Sequence, residues 1–155
     1  MLRRASLSDV PAVAGFYHAT WHETHAVFMP RAEAKRRSIS FFQDRMFALV
    51  RTTLLDERDG VLAGFSSWTG DLLGQLYVAP LYRGSPVATE LISATEREMA
   101  ADGTVVAELH CVVGNHRARR FYERMGWRYE GEVCERVAGE AGEVDALFWC
   151  MRKPL

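Results

Sequence analysis

The chain has 155 residues, 48% of them hydrophobic and 25% charged, with a formal net charge of -1. That length supports one domain, residues 1–155, with a core large enough to fold unaided, and the composition is too apolar for disorder. Near-neutral charge gives no global attraction to nucleic acid or to an anionic membrane. No apolar run has the length of a membrane span, and the start, Met1 to Ser6, lacks the apolar core of a secretory signal. Cys111, Cys134 and Cys150 are an odd number with no CxxC spacing, so neither a disulfide framework nor a zinc site is expected, which fits a reducing cytoplasm. Cys111 falls in an apolar strand and reads as a buried, inert thiol.

Leu2 to Ala5 reads as a short first strand. Ser8 or Asp9 then caps a helix with Pro11 in its first turn, and Val10, Val13, Tyr17 and Trp21 recur at helical spacing. The polar cluster after it contains His22, Glu23 and His25. It lacks the i, i+4 pair of histidines of a zinc helix and reads as solvated or substrate-facing, with no metal. A second helix is predicted from Pro30 to about Leu49, burying Ile39, Phe42 and Met46. A meander follows, with strands at 50–56 and 61–69 and a third ending at Val78.

Pro80 stops that third strand, and Tyr82-Arg83-Gly84-Ser85-Pro86 turns the chain into a helix running to about Met99. Ser85 is the expected N-cap and Pro86 the first helical residue, where a missing N–H costs nothing. A strand feeding a helix through such a turn leaves backbone N–H groups unpaired, with the helix dipole behind them. That is a ready phosphate site, or else an ordinary turn that needs Gly84 only for its backbone angles. The stretch 104–113 is a nearly continuous apolar strand, as a parallel neighbour buried on both faces would be. Asn115 caps a last helix carrying Ala118, Phe121, Tyr122 and Met125, closed by Gly126. A terminal hairpin, 127–136 and 144–152, leaves 138–142 as its expected mobile loop.

Three stretches carry a family likeness. They are Leu76-Tyr77-Val78-Ala79-Pro80 with Tyr82-Arg83-Gly84 and a helix, the run from Asn115 to Trp127, and Arg3-x-Ala5 with Asp9 and Trp21. The run Asn115-His116-Arg117-Ala118-Arg119-Arg120-Phe121-Tyr122-Glu123-Arg124-Met125-Gly126-Trp127 is the most specific. Together these stretches resemble the GCN5-related N-acetyltransferase (GNAT) family. The resemblance implies an α/β fold with a central mixed sheet of six to seven strands and about four helices. It also implies a site for acetyl-CoA (acetyl-coenzyme A) and transfer of the acetyl group to a primary amine of a small molecule or peptide by direct attack.

Under that resemblance the coenzyme arm pairs with the backbone of Leu76, Tyr77 and Val78. The pyrophosphate rests on Arg83, Gly84, Ser85, Val87 and Ala88, and Asn115 and Arg117 or Arg119 assist. The family pattern has glycine where this chain has Pro86. Losing one N–H donor to a charged acceptor there weakens binding by about 1.5–3 kcal/mol. Tyr122 is implied as the acid beside the sulfur, and a backbone N–H around Val78 polarises the carbonyl. For the base, Asp71, Glu23, His22 and His110 stay open, because Gln75 cannot titrate. Trp21, His22, His25, Phe28 and Trp68 are expected to line the acceptor pocket, with the 138–142 loop nearby. Two other readings stand beside this one: a non-catalytic acyl-CoA-binding module on the same fold, and a nucleic-acid binder using the Arg117–Arg128 cluster. Pairing of two copies through the terminal strands, a homodimer, is left open.

Overall fold

The computed structural model describes residues 1–155 throughout. Its strands are β1 (Leu2–Arg4), β2 (Thr53–Arg58), β3 (Val61–Thr69), β4 (Leu72–Val78), β5 (Val106–Val112), β6 (Arg128–Gly139) and β7 (Gly142–Pro154). Its helices are α1 (Val10–Thr24), α2 (Arg31–Arg36), α3 (Ile39–Leu49), α4 (Val87–Ala101) and α5 (His116–Arg124). The strands form one sheet in the order β1-β2-β3-β4-β5-β7-β6, and only β4 and β5 run parallel. This is the mixed α/β sheet the sequence implied.

The fifth helix comes from a break. Residues 31–49 form two helices, because Arg37 leaves helical geometry with ψ 63° and Ser38 starts again, its hydroxyl accepting from the Phe41 N–H at 3.3 Å. The α1 entry is a capping box of Ser6 and Asp9. Asp9 also receives a two-pronged bond from Arg3 at 2.8 and 2.9 Å, which explains the paired Arg3 and Asp9 of the opening stretch. The terminal hairpin is longer than predicted. Its strands run to Gly139 and Gly142, which pair with each other, so 138–142 is a tight turn and not a mobile loop. α2 ties this hairpin down, the Ala138 N–H donating to Glu33 at 3.0 Å.

Successive strand residues alternate between two cores. Leu54, Trp68, Leu91, Leu109, Trp127 and Met151 pack on the α4 side, and Tyr17, Trp21, Phe42, Met46, Leu55 and Phe65 on the α1–α3 side. What positions the site is the seam between β4 and β5. They pair only at Leu72 with Glu108 and Leu73 with Leu109. Directly after, β4 carries an extra residue, Gly74, because Gln75 faces Ser67 while Leu73 faces Trp68. Such a bulge bends a strand and adds twist. From there to Val78 and Val112 the two strands part, each still paired on its outer side.

Candidate active site

The parted strands open a cleft of about 660 Å³ on the α5 side, lined by Leu76, Tyr77 and Val78 of β4 and by Asn115, Ala118 and Tyr122 at the other wall. Beyond Leu73 the backbone groups of β4 that point away from β3 meet no partner strand. At its outer end the cleft reaches the turn into α4. Ser85 bonds back to the Tyr82 carbonyl, and Gly84 sits at φ 78°. The N–H groups of Gly84, Ala88 and Thr89 donate to nothing within the protein, since the backbone bonds of this region use only Tyr82, Arg83, Ser85 and Glu90 as donors. Three free amides at a helix start form an anion cradle. Proline at 86 therefore leaves the cradle in place. The Val87 side chain is fully buried beneath the turn and faces the core.

Arg83 joins this turn to α1. It donates to the Val78 carbonyl at 3.3 Å and to Glu23 at 2.5 Å. That hydrogen bond holds the Glu23 carboxylate below its usual range, making Glu23 a latch across the cleft and a poor base. Phe28 sits in the same roof. A Cβ on Gly114 would lie 3.2 Å from its ring, so Phe28 caps the β5–α5 turn and lines the cleft, not the acceptor pocket. On α5, Arg117, Phe121 and Arg124 turn toward the cleft at helical spacing. Arg119 turns away: it bonds Glu123 at 2.8 Å and lies over Tyr129 and Trp149, 4.5 and 4.7 Å from the ring centres. Of the two arginines the sequence left open, Arg117 lines the cleft and Arg119 does not; Arg124 lines it besides. Thr89 was missed, having no signal beyond its place in the first turn of α4.

A second cavity of about 270 Å³ lies on the α1–α3 side, bounded by Trp21, Arg37 and Arg45 from the helices and by His110, Glu135 and Phe148 from the far strands. Tyr77 and His25 line both cavities, their rings 5.2 Å apart, so the two spaces meet there. Trp21 and His25 thus both line this second cavity. His22 does not. Its Nε2 lies 2.7 Å from the Arg37 carbonyl, tying α1 to the α2–α3 corner outside the cavity. Trp68 is 1% exposed in the α4 core, and its indole N–H donates to Asp102. Asp71 lies in the turn at the closed end of the strand pair, its carbonyl taking the Glu108 N–H at 2.8 Å. It lines neither cavity. His110 is held between Glu108 at 2.8 Å and Glu135 at 3.0 Å. Burial lowers its pKa, but the two carboxylates outweigh that and leave it raised.

Two polar groups that line the cleft have no partner. The Thr24 hydroxyl lies 2.7 Å from both the Thr20 carbonyl and His25 Nδ1. Its one proton goes to the carbonyl, since the reverse would leave two oxygens 2.7 Å apart with nothing between them. Nδ1 of His25 therefore carries the ring proton and Nε2 keeps its lone pair. Burial, with a smaller push from Arg37, lowers the pKa of this histidine to about 4. The second group is the Tyr122 phenol, which burial pushes well above its usual pKa, so it stays protonated. Every fully buried side-chain polar atom has a partner. These two have none, so both open to the cavities. Cys111, its thiol pushed up to about 11 by burial, is no nucleophile.

The sequence model of the Acetyltransferase (GNAT) family matches residues 14–127. A curated relative, the aminoalkylphosphonate N-acetyltransferase of Salmonella typhimurium, is 27% identical over 141 residues, covering 77% of this chain and 88% of that one. Among solved structures, a GCN5-related N-acetyltransferase from Rhodopseudomonas palustris superposes with a TM-score of 0.80 at 24% identity, over 100% of this chain and 95% of its own. An acetyltransferase from Salmonella typhimurium solved with its cofactor acetyl-CoA gives 0.71 at 18% identity, over 100% of this chain and 93% of its own. The chain belongs to the GNAT acetyltransferase family. Within it, this protein is an N-acetyltransferase that uses acetyl-CoA, and the parted strands and amide cradle fit that cofactor. No helix is long and apolar enough to cross a membrane.

Proposed function

We propose that the protein, working as one catalytic domain, acetylates the primary amine of a small molecule. The observation that carries this reading is the meeting of two cavities at Tyr77 and His25, one suited to an extended cofactor and one of about 270 Å³. The second volume suits a compact molecule better than a folded protein's tail. The relative's name, which specifies an aminoalkylphosphonate, agrees with a small acceptor. The three free cysteines fit a reducing cytoplasm.

Bound acetyl-CoA supplies the thioester carbonyl that the amine attacks. The chain's residues then have two tasks, orientation and proton traffic. The exposed β4 backbone at Leu76–Val78 holds the cofactor arm, and the N–H groups of Gly84, Ala88 and Thr89 hold its diphosphate. An alkyl ammonium has a pKa of about 10, so the amine must shed a proton before it can attack. The Nε2 lone pair of His25 accepts a hydrogen bond from the amine N–H and aims the amine at the carbonyl. With a pKa of about 4 it does not keep the proton, which leaves to solvent. Because His25 is neutral, it adds no positive charge beside the arriving amine. Tyr122 donates a hydrogen bond at the sulfur position, stabilising charge as it develops there. Its raised pKa suits donation of a hydrogen bond more than full transfer of the proton.

A thiol-release assay over an amine panel tests this. Tyr122→Phe should lower kcat by roughly 100–1,000-fold, as loss of one charge-stabilising donor does, with the acetyl-CoA Kd unchanged by calorimetry. His25→Leu should lower kcat by about 10-fold, as loss of one orienting hydrogen bond worth about 1.5 kcal/mol does. Full turnover in either variant would remove that residue from the mechanism.

A further inference from the structure

We infer that the acceptor amine carries an anionic group, a phosphonate, phosphate or carboxylate, and that Arg37 and Arg45 hold it. The inference rests on the N-acetyltransferase reading of the same cavity and adds to it the chemistry of the acceptor's other end.

Both guanidiniums line the acceptor cavity, and between them they have only a share of one carboxylate. Glu33 is the nearest carboxylate to Arg37, accepting its Nε at 3.0 Å, but the same carboxylate also takes two bonds from Arg36 at 2.6 and 2.8 Å. Arg45 has no carboxylate at all, only the Tyr17 hydroxyl at 3.4 Å. Across the cavity, Glu135 is hydrogen-bonded to His110, which it shares with Glu108, so one carboxylate faces two guanidiniums. The cavity is left with an excess of positive charge on groups partly removed from water, the Arg37 side chain being only 13% exposed. Cations in that setting are costly unless something anionic meets them.

The arrangement is also rigid in the way an anion site needs. Arg37 lies over Trp21 and Phe41, 4.8 and 4.7 Å from the ring centres, and Arg45 lies over Phe41 at 4.8 Å. Stacking occupies the flat faces of the guanidiniums and leaves their N–H edges for a ligand. The two terminal nitrogens of Arg37 have no partner within the protein, although its Nε is fixed by Glu33 and its carbonyl by His22. Glu33 is itself fully buried and fastened to the Ala138 N–H. Burial would raise its pKa, but the bonds from Arg36, Ala138 and Arg37 outweigh this and bring it to about 2. It therefore stays charged as the positioning residue for Arg37.

Two arginine edges and one small cavity suit an oxyanion on a short spacer from the amine. The same cations also help the chemistry. Positive charge nearby lowers the pKa of the bound amine and so raises its free-base fraction, while the anionic tail offsets the repulsion that an ammonium alone would meet.

The test compares 2-aminoethylphosphonate, 3-aminopropanoate and propylamine as acceptors for the wild type, Arg45→Gln and Arg45→Lys, by thiol release. Calorimetry of 2-aminoethylphosphonate on the coenzyme A-saturated enzyme gives a second readout. Wild type should favour the anionic amines over propylamine by at least 100-fold in kcat/KM. Arg45→Gln should shrink that ratio by at least 30-fold, mainly through KM, and Arg45→Lys should restore part of it. The order of the phosphonate and carboxylate arms tells which oxyanion fits. Equal use of propylamine and the anionic amines, or equal losses for all three in Arg45→Gln, would overturn the inference and leave the acetyltransferase reading standing. Arg45-dependent binding of the phosphonate without release of thiol would support the anion site and count against this cavity as the acceptor site.

Discussion

Gly64 tests whether β4 is the structural lip of the cleft. It lies in β3 opposite Val78, and a Cβ placed on it would stand 2.7 Å from the Tyr77 carbonyl oxygen, 2.9 Å from Leu91 Cδ1 and 3.2 Å from Val87 Cγ1. The Leu91 methyl ends a flexible side chain and can turn aside. The Tyr77 oxygen is backbone and cannot, so Gly64→Ala must push β4 outward by about half an ångström to reach ordinary contact. Overpacking of this kind costs about 1–3 kcal/mol, and the lost backbone freedom of glycine returns up to about 1 kcal/mol. A net loss of about 1–2 kcal/mol, at a urea slope of about 2 kcal/mol/M, lowers the unfolding midpoint by roughly 0.5–1 M. The displaced segment is the one whose backbone meets the cofactor, so the acetyl-CoA Kd should weaken by about 3–10-fold, or roughly 1 kcal/mol. Urea unfolding followed by fluorescence and calorimetry with acetyl-CoA read the two effects separately. An unchanged midpoint would refute the packing argument. A lowered midpoint with wild-type Kd would refute the claim that this part of β4 grips the cofactor.

Glu23→Gln removes the carboxylate that engages Arg83 and leaves that guanidinium free beside the amide cradle. Coenzyme A should then bind about 3–10-fold more tightly at low salt, with a steeper loss of affinity as salt rises; unchanged or weaker binding would show that the latch matters only for structure. His25 sets an acid limit on stability. Its folded pKa of about 4 lies below the unfolded value of about 6.5, so the unfolded chain binds more protons between them and stability falls as pH drops through that window. The loss approaches the order of 3 kcal/mol near pH 4 and vanishes above about pH 6.5. His25→Gln should therefore gain on the wild type in urea unfolding only as pH falls, and a constant difference from pH 4 to 8 would contradict the buried, neutral imidazole.

The cofactor half of the site was legible in the sequence, and the acceptor half was not. The reason is which atoms do the binding. The proposed diphosphate cradle is made of backbone amides, and their placement follows from local signals, a strand stopped at Pro80, a turn through Gly84 and a helix after Pro86. The proposed acceptor cavity is built from side chains on α1, α3, the loops between them and four strands, β4 to β7, and no local pattern says which faces meet. Trp68 looked like a pocket aromatic, yet the alternation of β3 turns it toward α4. His22 and His25 are three residues apart on one histidine-rich stretch, and only His25 reaches the junction, because the first of them is drawn to the Arg37 carbonyl. Arg119 and Arg117 differ by two positions, which on a helix means nearly opposite faces. Arg37 and Arg45 gave no signal as a pair, since arginines at helical spacing read as a solvated face until the cavity beside them is seen.

The parting of β4 and β5 has its own mechanical cause. Each strand keeps a full ladder on its outer side, β4 with β3 to Val78 and β5 with β7 from Val106 to Val112. Neither can swing across to close the gap without breaking an intact ladder, and the Gly74 bulge turns β4 away where the last parallel pair ends. The inner backbone groups of both strands are therefore left to water, or to a guest that can offer amides of its own. Binding through main-chain atoms asks little of side-chain identity. Solved structures only 18–24% identical to this chain share its whole fold, and the proposed acceptor groups Arg37 and Arg45 line the other cavity, with His25 between the two.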